Sequence, residues 1–203
     1  MPAPDAPVPG QLFLTFDDGP DPEWTPRVLD LLAQAQARAT FFVIGAAALR
    51  APAPVRRCAA DGNASDNHTW SHRHPWTMST AAARAQVRDG AAAIADLTGS
   101  APRHYRPPHG RLRRCMVEEA AAGGQQLALW SLSAIDWGPL GRADGIARRL
   151  ARARPGDVVL MHDGGRGINH PAQLAQVLPA FLDSLPQRGL KPVALGQNPA
   201  GHG

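Results

Sequence analysis

At 203 residues the chain is long enough for one well-cored domain and short for two, and its 21 basic and 17 acidic side chains give a formal charge of +4. Every basic residue but Lys191 is an arginine, and the densest groups, Arg111-Arg113-Arg114 and Arg148-Arg149-Arg152-Arg154, lack the aromatic interleaving or reading motif of a nucleic-acid binder. No apolar run is long enough to cross a bilayer, and the two cysteines, Cys58 and Cys115, show neither disulfide-framework nor metal spacing, so a membrane span, a disulfide scaffold and a thiolate centre are all disfavoured.

Residues 1–10 are rich in proline and read as a disordered lead-in; residues 11–196 read as one domain and 197–203 as a flexible tail. The lead-in has no basic n-region and no apolar h-region, which predicts a cytoplasmic protein, or a secreted one whose signal has been removed. Leu12 to Phe16 reads as a buried strand broken by Gly19-Pro20 and Asp21-Pro22. Thr25-Pro26 predicts a helix N-cap with proline at the first position, and the spacing of Val28, Leu29, Leu31 and Leu32 carries that helix to about Arg38. A second buried strand follows at Ala39 to Gly45, then an alanine-rich helix from Ala46 to Ala60 and a weak strand at Ala64 to Asn67. Ser79-Thr80 caps a helix to about Leu97, Tyr105 sits in a short strand, and Arg113 to Ala122 reads as a helix. The remaining pattern is a strand at Gln126 to Leu132, a helix at Ala143 to Arg154, a strand at Asp157 to Met161, a helix at Pro171 to Gln187 and a strand at Leu190 to Ala194. Such alternation predicts an α/β fold with a mostly parallel sheet, and about seven β/α units point to a distorted, incomplete (β/α) barrel of seven or eight strands. Its active site belongs at the C-terminal ends of the strands.

The chemistry-bearing side chains fall there. Asp17 and Asp18 end the first strand, and because successive strand residues face opposite sides, the pair is expected to divide its work, one carboxylate holding a metal and the other taking a proton. His68 and His72 follow the third strand at i and i+4, a spacing that would bring two imidazoles side by side on a helical turn as a metal pair requires. Arg106-Pro107-Pro108-His109-Gly110 follows the fourth strand as a rigid loop suited to presenting one side chain and one backbone N–H. Asp136 and Trp137 follow the next, an acid beside an aromatic wall, and His162 ends the strand that contains Leu160. Gly164, Gly165 and Gly167 lack the spacing of a phosphate-binding loop.

The segments Thr15-Phe16-Asp17-Asp18-Gly19-Pro20, His68-Thr69-Trp70-Ser71-His72, Arg106-Pro107-Pro108-His109-Gly110, Asp136-Trp137 and Leu160-Met161-His162-Asp163 resemble, in order, the five motifs of the NodB-like polysaccharide deacetylases, carbohydrate esterase family 4. The short chain looks like the chitooligosaccharide deacetylases of that family. The resemblance implies a metal-dependent hydrolase that removes N-acetyl groups from N-acetylglucosamine-containing oligo- or polysaccharides, of chitooligosaccharide or peptidoglycan type. It implies a divalent metal, zinc before cobalt or manganese, on Asp18, His68 and His72. Asp17 would be the general base, oriented and kept ionised by Arg106, and His162 the general acid, oriented by Asp136. Trp137 and Leu160 would wall the acetyl pocket, and the His109 backbone N–H would bind the oxyanion. The implied partner is an acetylated glycan, with no nucleic acid, membrane or obligate protein partner. An O-acetyl xylan esterase, a small-metabolite deacetylase and a non-catalytic glycan-binding domain are the alternatives. The family usually carries Tyr where His109 stands, Gly where Asp66 stands and Asp where Ser133 stands.

Overall fold

The first strand, β1 (Gln11–Asp17), is the axis of the fold, with Leu12, Leu14 and Phe16 fully buried and a parallel neighbour on each side. The structure, a computed structural model, describes residues 9–165 and 167–196; the expected tail and all but the last two residues of the lead-in lie outside the described residues. Beside β1 lie β2 (Thr40–Val43) and then β3 (Ala64–Asn67), β4 (His104–Tyr105) and β5 (Gln126–Leu127), all parallel. On the other flank come β7 (Val158–His162) and β6 (Leu132–Ser133), giving the order β5-β4-β3-β2-β1-β7-β6. A last strand, β8 (Lys191–Val193), pairs with residues 11–13 of β1.

The two edges of this sheet are consecutive in the chain. Only residues 128–131 separate β5 from β6, and an extended chain covers about 3.3–3.6 Å per residue, so the edges stand no more than about 18 Å apart. The sheet must therefore curl into a distorted, incomplete barrel. The expected strand at 126–132 is broken into β5 and β6, with a bend at Ser131, because the chain changes neighbours there: Ala128 N–H bonds to Tyr105 O on one side, and Ser131 N–H to Val158 O on the other. We call this junction the seam.

The helices differ from the sequence pattern where local chemistry intervenes. Helix α1 (Trp24–Gln34) starts after Glu23, because the Thr25 hydroxyl is engaged elsewhere, accepting from Asp21 N–H and donating to Asp163. It stops four residues short of Arg38, since Gln36 takes a left-handed φ of 51° and the Ala37 N–H turns back to Leu32 O. The expected helix over 46–60 is two, α2 (Gly45–Arg50) and α3 (Pro52–Ala60), because Pro52 disfavours helical geometry at Ala51, whose φ is −133°. Helix α4 (Thr80–Thr98) is capped by the Ser79 hydroxyl as expected and ends at Gly99. The rest are α5 (Arg114–Ala122), α6 (Ala143–Leu150) and α7 (Pro171–Ser184).

One core unites β1, β2 and β7 with α1, α3, α6 and α7, through Phe16, Phe41, Leu29, Leu150 and Leu178 among others. A smaller cluster of Val87, Tyr105 and Met116 joins α4 and α5 to β4. At about 25 cal/mol per Å² of apolar surface, such burial is the main stabilising term and fixes the strand ends on which the site is built. Among the described residues no helix is long and apolar enough to cross a membrane.

Candidate active site

Asp17 ends β1 in register with Phe42 of β2 and His162 of β7. Asp18 does not continue the pleat: its φ is +72°, so the expected alternation fails and both carboxylates line one cavity of about 440 Å³. The backbone of residues 163 and 164 presses against this turn, with their N–H groups donating to Asp17 O at 3.2 and 3.4 Å. A Cβ on Gly164 would stand 2.4 Å from Asp18 O, so only glycine fits there.

Asp17 receives a fully buried guanidinium. Arg106 Nη1 donates to Asp17 Oδ1 at 2.7 Å and to Thr15 Oγ1 at 2.8 Å, while Nε and Nη2 donate to Ala128 O and Leu129 O in the seam. The guanidinium also lies 3.9 Å from the centre of the Phe42 ring. With every face occupied, Arg106 has one position, and Asp17 Oδ2 is left pointing into the cavity 3.7 Å from His68 Nε2.

His68 and His72 are not on a helical turn. They belong to a loop after β3 in which Thr69 and His72 have φ values of 72° and 57°, and Thr69 Oγ1 accepts from His72 N–H. The rings still come within 4.9 Å, centre to centre. His68 Nδ1 is 2.8 Å from the Arg106 carbonyl, which can only accept, so this nitrogen carries the proton and Nε2 offers its lone pair inward. Asp18 Oδ1 is buried and takes part in no hydrogen bond, while His68 Nε2 lies 3.6 Å and His72 Nε2 3.1 Å away. The ligand atoms of Asp18, His68 and His72 all lie within 4.8 Å of one another. Two imidazoles and a carboxylate are a zinc-type donor set that leaves positions open, and the buried Asp18 oxygen without a hydrogen bond is one that a cation would satisfy. The residues present therefore fit a divalent metal. Burial opposes ionisation of Asp18, but the facing His68, His72 and His162 imidazoles and a hydrogen bond from Asn169 hold its carboxyl below the usual range.

His162 is gripped at two points by the fully buried Asp136, which accepts from its N–H at 2.7 Å and holds Nδ1 at 2.8 Å. Burial lowers the affinity of this imidazole for a proton, yet the Asp136 hydrogen bond and charge, aided by Asp17 and Asp18, carry it up to about 9. Its Nε2 edge is thus turned away from Asp136. Trp137 meets the His162 ring edge-on at 5.3 Å, and Trp137 and Leu160 both line the cavity. His109 lines the opposite wall, its ring edge-on to His72 at 4.6 Å and its backbone left-handed at φ 57°. The turn around it closes through Gly110 N–H to Pro107 O and Arg111 N–H to Pro108 O, and neither bond uses the His109 N–H.

Several contributors carried no sequence signal. Asn169 Nδ2 donates to Asp18 Oδ2 at 2.7 Å and to Gly164 O at 3.1 Å, which turns the other Asp18 oxygen toward the two histidines. Asn169 has neither a recognisable spacing nor a strand before it. Trp130, in the seam, lines the cavity and stands where a Cβ on Gly110 would come within 2.7 Å. Asp163 is buried beneath Gly19, and burial pushes its carboxyl up to about 7, the Thr25 hydroxyl lowering it and the Asp18 and Asp17 charges raising it. Of six non-glycine residues with positive φ among the described residues, Asp18, Thr69, His72 and His109 are at this site. Such conformations cost of order 1–3 kcal/mol each and gather where geometry is held by its surroundings.

The unusual residues at 66 and 133 are structural. Asp66 accepts from the Arg103 and His104 N–H groups and pairs with the His104 ring at 2.6 Å, stitching β3 to β4 below the site. Ser133 Oγ accepts from Ile135 N–H and shapes the turn into Asp136.

The chain is similar to a known family and to several described proteins. Residues 6–128 match the family described as polysaccharide deacetylase. A peptidoglycan-N-acetylglucosamine deacetylase of Bacillus cereus is 34% identical over 188 residues, 92% of this chain and 86% of its own. A chitooligosaccharide deacetylase of a Bradyrhizobium species is 38% identical over 154 residues, covering 75% of this chain and 70% of its own. Among solved structures, a family 4 carbohydrate esterase from Streptomyces lividans in complex with acetate superposes with a TM-score of 0.82 at 30% identity, over 91% of this chain and 92% of that one.

Proposed function

The chain belongs to the polysaccharide deacetylase family, and from that premise we propose that it hydrolyses the N-acetyl groups of N-acetylglucosamine units in a chitooligosaccharide or peptidoglycan glycan, with zinc as its metal. The observation that carries the reading is the convergence of two separately gripped proton-transfer groups, Asp17 on Arg106 and His162 on Asp136, on the cavity that holds the Asp18, His68 and His72 donors.

Asp18, His68 and His72 would hold the zinc, whose Lewis acidity would make a water more acidic and an acetyl carbonyl more electrophilic. Asp17 Oδ2 accepts the proton of the attacking water, and Arg106 keeps that oxygen aimed into the cavity by holding the other. The His109 N–H donates to the carbonyl oxygen as charge develops on it. His162 then gives its proton to the amide nitrogen, the carbon–nitrogen bond breaks, and acetate and a free amine leave; Asp136 keeps the imidazole protonated for that step. Trp137 and Leu160 enclose the methyl group and limit water.

The test is acetate release from chitotetraose or chitopentaose by chelator-stripped protein, before and after zinc is returned. Zinc-restored release is expected, and H162A should abolish it while still binding one zinc. Release from acetylated xylan alone would move the substrate, and a protein that binds no zinc would overturn the metal assignment.

A further inference from the structure

Beyond the cavity, two ring contacts lead from His72 to a turn that carries an exposed tryptophan. The His109 ring, edge-on to His72, stacks at 5.6 Å and 26° on His74. The His74 ring in turn takes the backbone N–H of Trp76 on Nδ1 at 3.3 Å, within the short 3-10 turn Pro75–Thr77. Trp76 is 63% exposed, which for the largest apolar side chain contributes nothing to the core. The turn that carries it is nevertheless fixed. Arg113 Nη1 donates to Pro75 O at 2.6 Å and Met78 O at 2.9 Å, bracketing the turn, and its guanidinium stands 5.7 Å from the indole centre. Thr77 Oγ1 closes the turn onto His74 O at 2.9 Å.

An indole left in solvent on a turn whose backbone is held at both ends adds little to folding, and a backbone ordered before binding makes an anchor more effective. A pyranose ring offers the matching partner, an apolar C–H face with hydroxyls at its edge that remain wet over an indole. We propose that Trp76 is a stacking platform for a sugar unit next to the one being deacetylated, so that the site selects oligosaccharide over a lone acetylated residue. This inference rests on the glycan reading above. The ring contacts His72–His109–His74, which start at the reacting centre and end at the residue that holds the Trp76 backbone, favour a glycan over a docking protein.

The zinc-loaded chain is assayed with chitopentaose and with an aryl acetate that fills only the acetyl pocket. In W76A the chitopentaose-to-aryl-acetate ratio of kcat/KM should fall about tenfold, mainly through KM, and W76F should keep most of the ratio. General structural damage would lower both substrates together. An unchanged ratio in W76A overturns the platform and leaves the deacetylase reading standing, because the wild type still acts on the glycan. Wild-type protein that cleaves the aryl acetate but no glycan overturns both.

Discussion

Replacing Arg106 by methionine tests the central link of the site. Methionine refills much of the aliphatic volume, so a cavity contributes little and the loss is chiefly polar. Four hydrogen bonds disappear at once, to Asp17, Thr15, Ala128 and Leu129, and Asp17, 4% exposed, becomes a buried charge without its partner. Removing one member of a buried pair costs about 3–5 kcal/mol, and each carbonyl left unsatisfied in the seam adds to it. At about 2–4 °C per kcal/mol for a chain of this size, Tm should fall by roughly 6–20 °C. Urea unfolding of the metal-free protein, followed by circular dichroism, gives the number without a contribution from metal binding. The cycle of wild type, R106M, D17N and R106M/D17N then isolates the pair: the double variant should be more stable than R106M, with a coupling of about 2–3 kcal/mol. A cost for R106M below about 1 kcal/mol, or additivity within about 0.5 kcal/mol, would refute the reasoning.

Three further outcomes follow from the structure. In metal-free protein, NMR titration of His162 should give a midpoint of about 9, falling toward the ordinary imidazole value in D136N. Because the folded value is raised, the stability from this pair is complete below about pH 6.5 and is lost as pH rises through about 9, so D136N should flatten that part of the stability profile; identical profiles would dismiss the pair. N169A should weaken zinc binding about 10- to 100-fold in competition with a chromophoric chelator, since the Asp18 carboxylate loses the bond that orients it, and equal affinity would remove Asn169 from the site. G90A should destabilise by about 1–3 kcal/mol despite better helix propensity, because its Cβ would stand 2.6 Å from Asn67 Oδ1 and 2.7 Å from the Thr69 carbonyl carbon; a stabilised variant would show that α4 can withdraw from the β3 loop.

Part of this was legible because the first and last polar segments follow apolar runs. The strand ends at Asp17 and His162 could be placed from those runs and their breakers, whereas the polar strand at 64–67 and the short one at Tyr105 were placed only by the alternation of strands and helices; a parallel barrel then brings those ends together. What could not be read were choices made by tertiary contact. Thr25 reads as a cap, but its hydroxyl answers to Asp163, far off in sequence. The i, i+4 spacing of His68 and His72 suggests a helix, while the loop reaches the same proximity through two left-handed residues. The pleat predicts that Asp17 and Asp18 diverge, and the pressure of Gly164 on the turn goes with the opposite result. Asn169 has no pattern to reveal it at all; only the fold puts its amide against Asp18. The place of β8 beside the lower half of β1 is likewise a matter of pairing, which composition does not encode.

The seam bears on how such a site can be retuned. None of Asp18, His68, His72, Asp136 and His162 lies on residues 128–131, yet Trp130 from that stretch faces the cavity and Arg106 tethers it by two carbonyls. It works as a clasp on the barrel. Lengthening or swapping those few residues alters the girth of the pocket mouth, while the reacting groups stay on strand ends that the clasp does not move. A designer seeking a bulkier or slimmer substrate has one place to begin, provided that the two carbonyl anchors on Arg106 are kept.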